Sequence, residues 1–159
     1  MIIREVNITD LNRCYEIESI SYGEEGATKE KIEKRLLTYP TRFIVLEIDN
    51  NIVGFINSGA TDNVVLSDEE FKELIGHDDN GKDIVIMSVV VDAAFQKNGY
   101  ASNLLANFIH KMKNLGKSSI HLICLTKHIK LYEKHGFKYI KQSQSDHGGL
   151  VWNDMILKL

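Results

Sequence analysis

The chain has one proline, one tryptophan and two cysteines among its 159 residues. A single Pro40 excludes proline-rich and collagen-like architectures. Cys14 and Cys124 lie far apart, with no CxxC pair and no histidine at ligand spacing, so neither a disulfide framework nor a metal site is expected. No apolar run approaches the roughly 20 residues that cross a bilayer. Met1–Val6 alternates too briefly for a signal peptide, so a cytoplasmic location without a membrane partner is expected. Strong charge of one sign is also missing, with a net charge of −3 and no basic-aromatic stripe, which argues against nucleic acid.

What remains is an ordinary globular composition, 43% hydrophobic and 26% charged. A chain of this length folds as a single domain over residues 1–159 and buries roughly 70% of its unfolded surface. The charges are divided along it. Residues 62–83 carry eight acids against Lys72 and Lys82, and residues 93–141 carry nine lysines against Glu133. This reads either as two solvated faces or as a basic half for an anionic cofactor and an acidic segment for a cationic substrate.

Periodicity predicts strands at 2–6, 43–48, 52–60, 83–91, 119–125, 137–141 and 150–157. Asp10 is positioned to cap a helix over 11–21 with the stripe Leu11, Cys14, Tyr15 and Ile17 or Glu18. Thr28 caps a second helix ending before Pro40. Ser67–Glu70 reads as a capping box for a short helix to Ile75, followed by a polar, mobile loop over 76–82. The helix after Gly99 carries Leu104, Leu105, Phe108, Ile109, Met112 and Leu115, and a short helix spans 127–135. The near-continuous apolar run at 83–91 predicts a central strand covered on both faces. About seven strands and four helices, with helices between strands mid-chain, make an α/β or α+β sandwich.

The most informative segment is Val89-Val90-Val91-Asp92-Ala93-Ala94-Phe95-Gln96-Lys97-Asn98-Gly99-Tyr100-Ala101-Ser102. It reads as strand, tight turn and helix N-terminus. Gly99 and Ala101 leave room for outward-facing backbone N–H groups, which with the helix dipole make an anion site suited to a pyrophosphate. Further on, Leu131-Tyr132-Glu133-Lys134-His135-Gly136-Phe137 puts a tyrosine in a short helix that turns into a strand. Strands 83–91 and 119–125, joined by the intervening helix, would run parallel and splay, and the next helix would aim Tyr132 into the gap.

This pair of motifs resembles the GCN5-related N-acetyltransferase (GNAT) superfamily. There, Gln/Arg-x-x-Gly-x-Gly/Ala holds the acetyl-CoA pyrophosphate, and the tyrosine of a Tyr-Glu-x-x-Gly-Phe run serves as general acid. The resemblance covers nearly the whole chain and implies a mixed, mostly antiparallel sheet with a splayed parallel pair. Within the superfamily the chain looks most like the arylalkylamine N-acetyltransferase branch, through Tyr15-Glu16-Ile17-Glu18, Val53-Gly54-Phe55-Ile56, the Ser67–Gly81 insert and the loop at Val91–Gly99. Two positions depart. Val85 and Met87 stand where the animal enzymes of that branch carry a proton-relaying His pair, and Ala101 replaces the last glycine of the loop.

The resemblance implies N-acetylation of a small primary amine, with no metal, by a monomer or homodimer. A primary amine of pKa about 10 must lose a proton, and a thiolate of pKa about 8.5 is helped by an acid. The expected catalytic residues are Tyr132 as acid, Glu18 for a proton path and Ser88 to hold a water in it. The expected cofactor residues are Val89, Val90, Val91, Gln96, Lys97, Asn98, Gly99, Tyr100, Ala101, Ser102, Thr126 and Tyr132, with a strand-edge N–H near Val89 polarising the thioester. Glu16 is an alternative base. His77 and His128 read as surface residues, and Cys124 reads as core. Competing readings are acetylation of a protein N-terminus or lysine, a non-catalytic acyl-CoA-binding module, and an unrelated nucleotide-binding domain. The lack of a G-x-G-x-x-G run and the context of Tyr132 argue against the last.

Overall fold

A computed structural model describes residues 1–159. Seven strands form one sheet in the order β1-β2-β3-β4-β5-β7-β6. They are β1 (Ile2–Glu5), β2 (Ile44–Ile48), β3 (Asn51–Thr61), β4 (Asp83–Val91), β5 (Ser119–Leu125), β6 (Lys138–Gln142) and β7 (Trp152–Lys158). Four helices flank it: α1 (Leu11–Tyr22), α2 (Lys29–Thr38), α3 (Tyr100–Asn114) and α4 (Ile129–Lys134). This is the expected architecture, mixed and mostly antiparallel, and its only parallel pair is β4–β5. No helix is long and apolar enough to cross a membrane.

Alternation along β2 separates the two layers. Ile44 and Leu46 join Leu104, Leu105, Phe108 and Met112 of α3 on one face. Val45 joins Leu11, Cys14 and Ile17 of α1 and Ile32 and Leu36 of α2 on the other. Burying one such side chain contributes about 1.5–3 kcal/mol, so these stripes hold the helices to the sheet.

One irregularity positions the site. Asn57 of β3 pairs with Ser88 and Ser58 pairs with Ile86, which leaves Met87 as an extra residue in β4. Such a bulge re-aims the side chains beyond it. Ile84 and Ile86 therefore pack in the α3 core, whereas Val90 packs in the α1–α2 core and Ser88 turns toward α1.

Several expectations are corrected. β4 is central but not covered throughout, since Val85, Met87, Val89 and Val91 alternate as half-buried residues. Asp10 does not cap α1. It pairs with Arg4 at 2.8 Å and accepts from Asn7 N–H in a turn that precedes the helix. Tyr15 and Leu115 lie outside their helices' apolar stripes and are exposed. The capping box at Ser67 does not form. Asp68 instead accepts from Glu70 N–H and starts a 3-10 stretch, Glu69–Glu73, that stops at Leu74. His77 is not on the surface. Its imidazole packs edge-on against Tyr39 and its Nδ1 accepts from Ala60 N–H at 2.9 Å.

Candidate active site

The loop between β4 and α3 is built from the backbone outward. Asp92 Oδ1 accepts from Ala94 N–H at 3.0 Å and closes a one-turn 3-10 helix, Ala93–Phe95. Gly99 then takes φ of +79°, a left-handed conformation that costs a side-chain-bearing residue roughly 1–2 kcal/mol, and directs the chain into α3. From Gln96 to Gly99 no backbone N–H has an acceptor in the protein. The first helical bond runs from Asn103 N–H to Gly99 O, so Tyr100, Ala101 and Ser102 also present free N–H groups. Asn98 Nδ2 donates to Phe95 O and Gln96 O, which holds the turn open. A cavity of about 210 Å³ sits against this loop, lined by Val91, Phe95, Gln96, Lys97, Gly99, Tyr100, Ala101, Ser102 and, from α4, Leu131. A row of free N–H groups at a helix N-terminus, facing a cavity, is an anion cradle.

Beside the loop the sheet opens. β4 and β5 share only three residue pairs, Asp83–Ser119, Ile84–Ile120 and Val85–His121. Past Val85 the ladder stops and the strands part. Asp92 N–H bonds Val53 O and the Val90 carbonyl points at Gly54, so these groups face β3. By alternation the backbone groups of Val89 and Val91 face the gap. Gln96 Nε2 donates to Val91 O there, and the Tyr22 hydroxyl lies 3.5 Å from Val89 O. Val90 thus differs from its neighbours in the expected set, because its backbone is turned to β3 and its side chain is in the core.

Tyr132 lies where the motif puts it, in α4. Its ring packs edge-on against Phe137, 5.7 Å between centroids, and is almost fully buried. The chain turns sharply after it at Gly136, while Phe137 N–H bonds Tyr132 O. Burial raises the phenol well above its usual value, reinforced by Tyr22 and Cys124, so the hydroxyl stays protonated throughout the working pH range.

Glu18 and Ser88 meet beneath α1. Glu18 occupies a core position of that helix and is 3% exposed. Its Oε1 accepts from Ser88 Oγ and from Ala27 N–H, both at 3.2 Å, while Oε2 is buried without a partner. Burial raises the carboxyl, against the lowering pull of the Ala27 N–H, Arg35 and Ser88. Arg35 of α2, 4% exposed, reaches the same place, with Nη1 3.5 Å from both Ser88 Oγ and Asn57 Oδ1 and its other nitrogens on Lys72 O. Burial brings its guanidinium down to about 10.

The remaining candidates separate. Glu16 is exposed and paired with Arg13 at 3.2 Å, on the outer side of α1 and away from Ser88. Thr126 Oγ1 accepts from Asn153 Nδ2 at 3.0 Å, which ties the end of β5 to β7 outside the loop cavity. Cys124 is core, its thiol pushed up to about 11 by burial, which disfavours a thiolate nucleophile. No group of three or more His, Cys, Asp or Glu side chains has metal-ligating geometry.

Residues 10–137 match the model of the Acetyltransferase (GNAT) family. The chain belongs to that family. Among solved structures this GNAT chain is similar to the loading GNATL domain of CurA from Lyngbya majuscula, at 18% identity, 99% of this chain, 96% of that chain and a TM-score of 0.87. It is similar to the GphF GNAT-like decarboxylase in complex with isobutyryl-CoA, at 16% identity, 99% of each chain and a TM-score of 0.81. An aminoglycoside 6′-N-acetyltransferase complexed with coenzyme A aligns at 15% identity over 99% of this chain and 97% of that chain, with a TM-score of 0.73. Identities this low establish the fold. Set against curated proteins, the chain has no match.

Sequence reasoning does not point to Arg35 or Asn57. The available clue to Arg35 is its place among the apolar positions of α2, between Ile32 and next to Leu36. A charged residue on an apolar stripe needs a buried partner. Asn57 gives no such clue, since its turn toward Arg35 depends on the pairing of β3 with β4.

Proposed function

We propose that this GNAT chain transfers the acetyl group of acetyl-CoA to a primary amine of a small molecule by direct attack, in the manner of the arylalkylamine branch. The observation that carries the reading is the cradle of free N–H groups over 96–102 opening onto a parted β4–β5 edge. A pyrophosphate suits the cradle, and an extended thiol arm suits a strand edge whose Val89 and Val91 N–H groups face the gap. Lys97 adds positive charge at the loop, and the Gln96, Asn98, Tyr100, Ala101 and Ser102 backbones supply donors.

In this scheme the neutral amine attacks the thioester carbon and the carbon–sulfur bond breaks. The sulfur draws the Tyr132 proton as it leaves, and the proton shed by the acylated nitrogen restores the phenol through solvent. A phenol held protonated is a donor to sulfur at every working pH. Full transfer from so weak an acid is uphill, so its contribution falls in the transition state. Glu18, through Ser88, begins the path that removes the amine proton. Its carboxyl, raised by burial, stands closer to neutral pH than an exposed one and is better matched to the task. Residues 62–83, rich in acids, favour a cationic acceptor.

The test is an acceptor screen with acetyl-CoA and detection of free CoA, run from pH 6 to 9.5 on wild type and on Glu18→Gln. The expected result is turnover with small primary amines and an acid-side limb in kcat/KM, rising as Glu18 deprotonates, that the variant loses. Turnover only with peptide N-termini or lysines would replace the acceptor class. Tight acetyl-CoA binding with no turnover on any acceptor would replace the enzyme by a binding module.

A further inference from the structure

α1 and α2 cover β2, β3 and β4, but no helix covers the same face of β5, β7 and β6. There the segment 64–67 and the sheet line an open cavity of about 430 Å³. Val64, Leu66, Ile140 and Ile156 make apolar walls. Two polar groups on its floor are held in a way that packing alone does not require.

The first is Asp154 of β7. It is 9% exposed and accepts no hydrogen bond from the protein, and its Oδ1 is fully buried without a partner. A buried carboxylate left in this way costs more than an apolar residue would. The second is His121 of β5. Its Nε2 lies 2.8 Å from Ser119 Oγ, and Ser119 Oγ donates to Asp83 Oδ1 at 2.6 Å. A serine hydroxyl has one hydrogen, and here it is given to Asp83. His121 Nε2 must therefore donate to Ser119, so the neutral ring carries its hydrogen on Nε2. The Nδ1 lone pair makes no bond to the protein and is left for the cavity that His121 lines. His121 is also the last β5 residue paired with β4, so the cavity meets the gap at its closed end.

We propose that this cavity is the acceptor site and takes a primary ammonium ion carried on an apolar group, with Asp154 as counter-ion and His121 Nδ1 as acceptor of an ammonium N–H. This rests on the acetyl-transfer reading, and it names that reaction's acceptor pocket. Asp154 lies opposite Ile123, two residues beyond His121 toward the open end of the gap. The acids facing His121 are Asp83 from β4 and Asp154 from β7, and the exposed Lys158 and Lys138, opposite Ser119 and Ile156, stand on the same face. Lys141 of β6, opposite Asp154 in register, is exposed at the rim and forms no ion pair with it. Burial lowers His121, which keeps it neutral near pH 7 and able to accept.

The experiment is an NMR titration of the full chain at pH 7.5 with 2-phenylethylammonium and its neutral counterpart 2-phenylethanol. Long-range proton–nitrogen spectra of the free protein should show the hydrogen of His121 on Nε2. The ammonium should shift the His121 ring and the amides of 64–67, binding at least tenfold more tightly than the alcohol. Asp154→Asn should abolish that preference. Affinity should fall as pH drops through the lowered His121 value in wild type and fall less in His121→Gln, which removes the imidazolium that repels the ligand. A hydrogen on Nδ1, or equal affinity for ammonium and alcohol, overturns the proposal without need of a variant. Amine turnover with an acceptor KM unchanged in Asp154→Asn also overturns it while leaving the transferase reading intact. Ammonium binding without turnover keeps the pocket and removes the transferase.

Discussion

Ser88 Oγ donates a 3.2 Å hydrogen bond to Glu18 Oε1, joining β4 to α1 across 70 residues of chain. The bond exists because the extra residue Met87 turns Ser88 toward the helix layer. It leaves Glu18 Oε2 as a buried acceptor in need of a donor, and Asn57 Nδ2 as a buried donor in need of an acceptor.

That arrangement makes stability depend on pH in a defined direction. Burial raises the Glu18 carboxyl above its unfolded value of about 4.5. The folded state then holds the proton more tightly than the unfolded state. Its stabilising effect is fully present below about pH 4.5 and is lost as pH rises through the raised folded value. Glu18→Gln, which never ionises, should gain on wild type over that range and unfold at equal or higher urea at pH 8, even as acetyl transfer falls. Urea melts of both proteins from pH 4 to 8 check this. A constant difference across the series would show that Glu18 does not titrate on folding.

Arg35 should be the most costly member of the cluster to remove. Arg35→Met strips a donor from Asn57 and from Lys72 O and takes away the cation facing Glu18. Breaking a buried ionic network from one side costs about 3–5 kcal/mol. Arg35→Lys should recover little, because one ammonium cannot reach all three acceptors. Thermal unfolding of both variants gives the comparison, and a loss under about 1 kcal/mol in Arg35→Met would show that water replaces the guanidinium freely.

Gly99 is the conformational key of the loop. Gly99→Glu forces a side chain into φ of +79° and adds a carboxylate beside the cradle. Acetyl-CoA affinity should fall by at least about 100-fold, since both the N–H orientation and the local charge are lost. Calorimetric titration checks this, with circular dichroism as the control for folding. Equal affinity would place the pyrophosphate elsewhere.

Tyr132→Phe keeps the packing against Phe137 and removes the hydroxyl. Turnover should drop by about 100- to 10,000-fold with acetyl-CoA affinity little changed. Stopped-flow measurement of CoA release separates chemistry from product release. An unaltered chemical step would assign the tyrosine to packing alone.

Local patterns carry well from sequence to structure here. The strand–loop–helix at 89–102 and the tyrosine helix at 129–134 are contiguous, and their local geometry is set by the backbone rules of glycine and helix caps. Glu18 is legible as a candidate because it falls on the stripe of Leu11, Cys14 and Ile17. Its depth is not legible, since that depends on α2 closing over it. The bulge at Met87 leaves no mark in a run of apolar residues, and it decides which of Ser88 and Val89 faces the helices. Asp10 and Asp68 show the limits of cap rules, because each has a nearer competitor. Arg4 claims the first carboxylate, and the second displaces Ser67 as the start of its turn. His77 is misread as a surface residue for a related reason: the polar segment around it folds back along β3, where Asp78 N–H bonds Ala60 O.

The short β4–β5 ladder also bears on mechanics. With three paired residues at one end, the sheet is two plates, β1 to β4 and β5 with β7 and β6, sharing a narrow hinge. A ligand lying in the gap and bonded to both edges would stitch the plates together. It would act as a missing strand of the protein, so occupancy should be felt as stiffness in β6 and β7, far from the 96–102 loop.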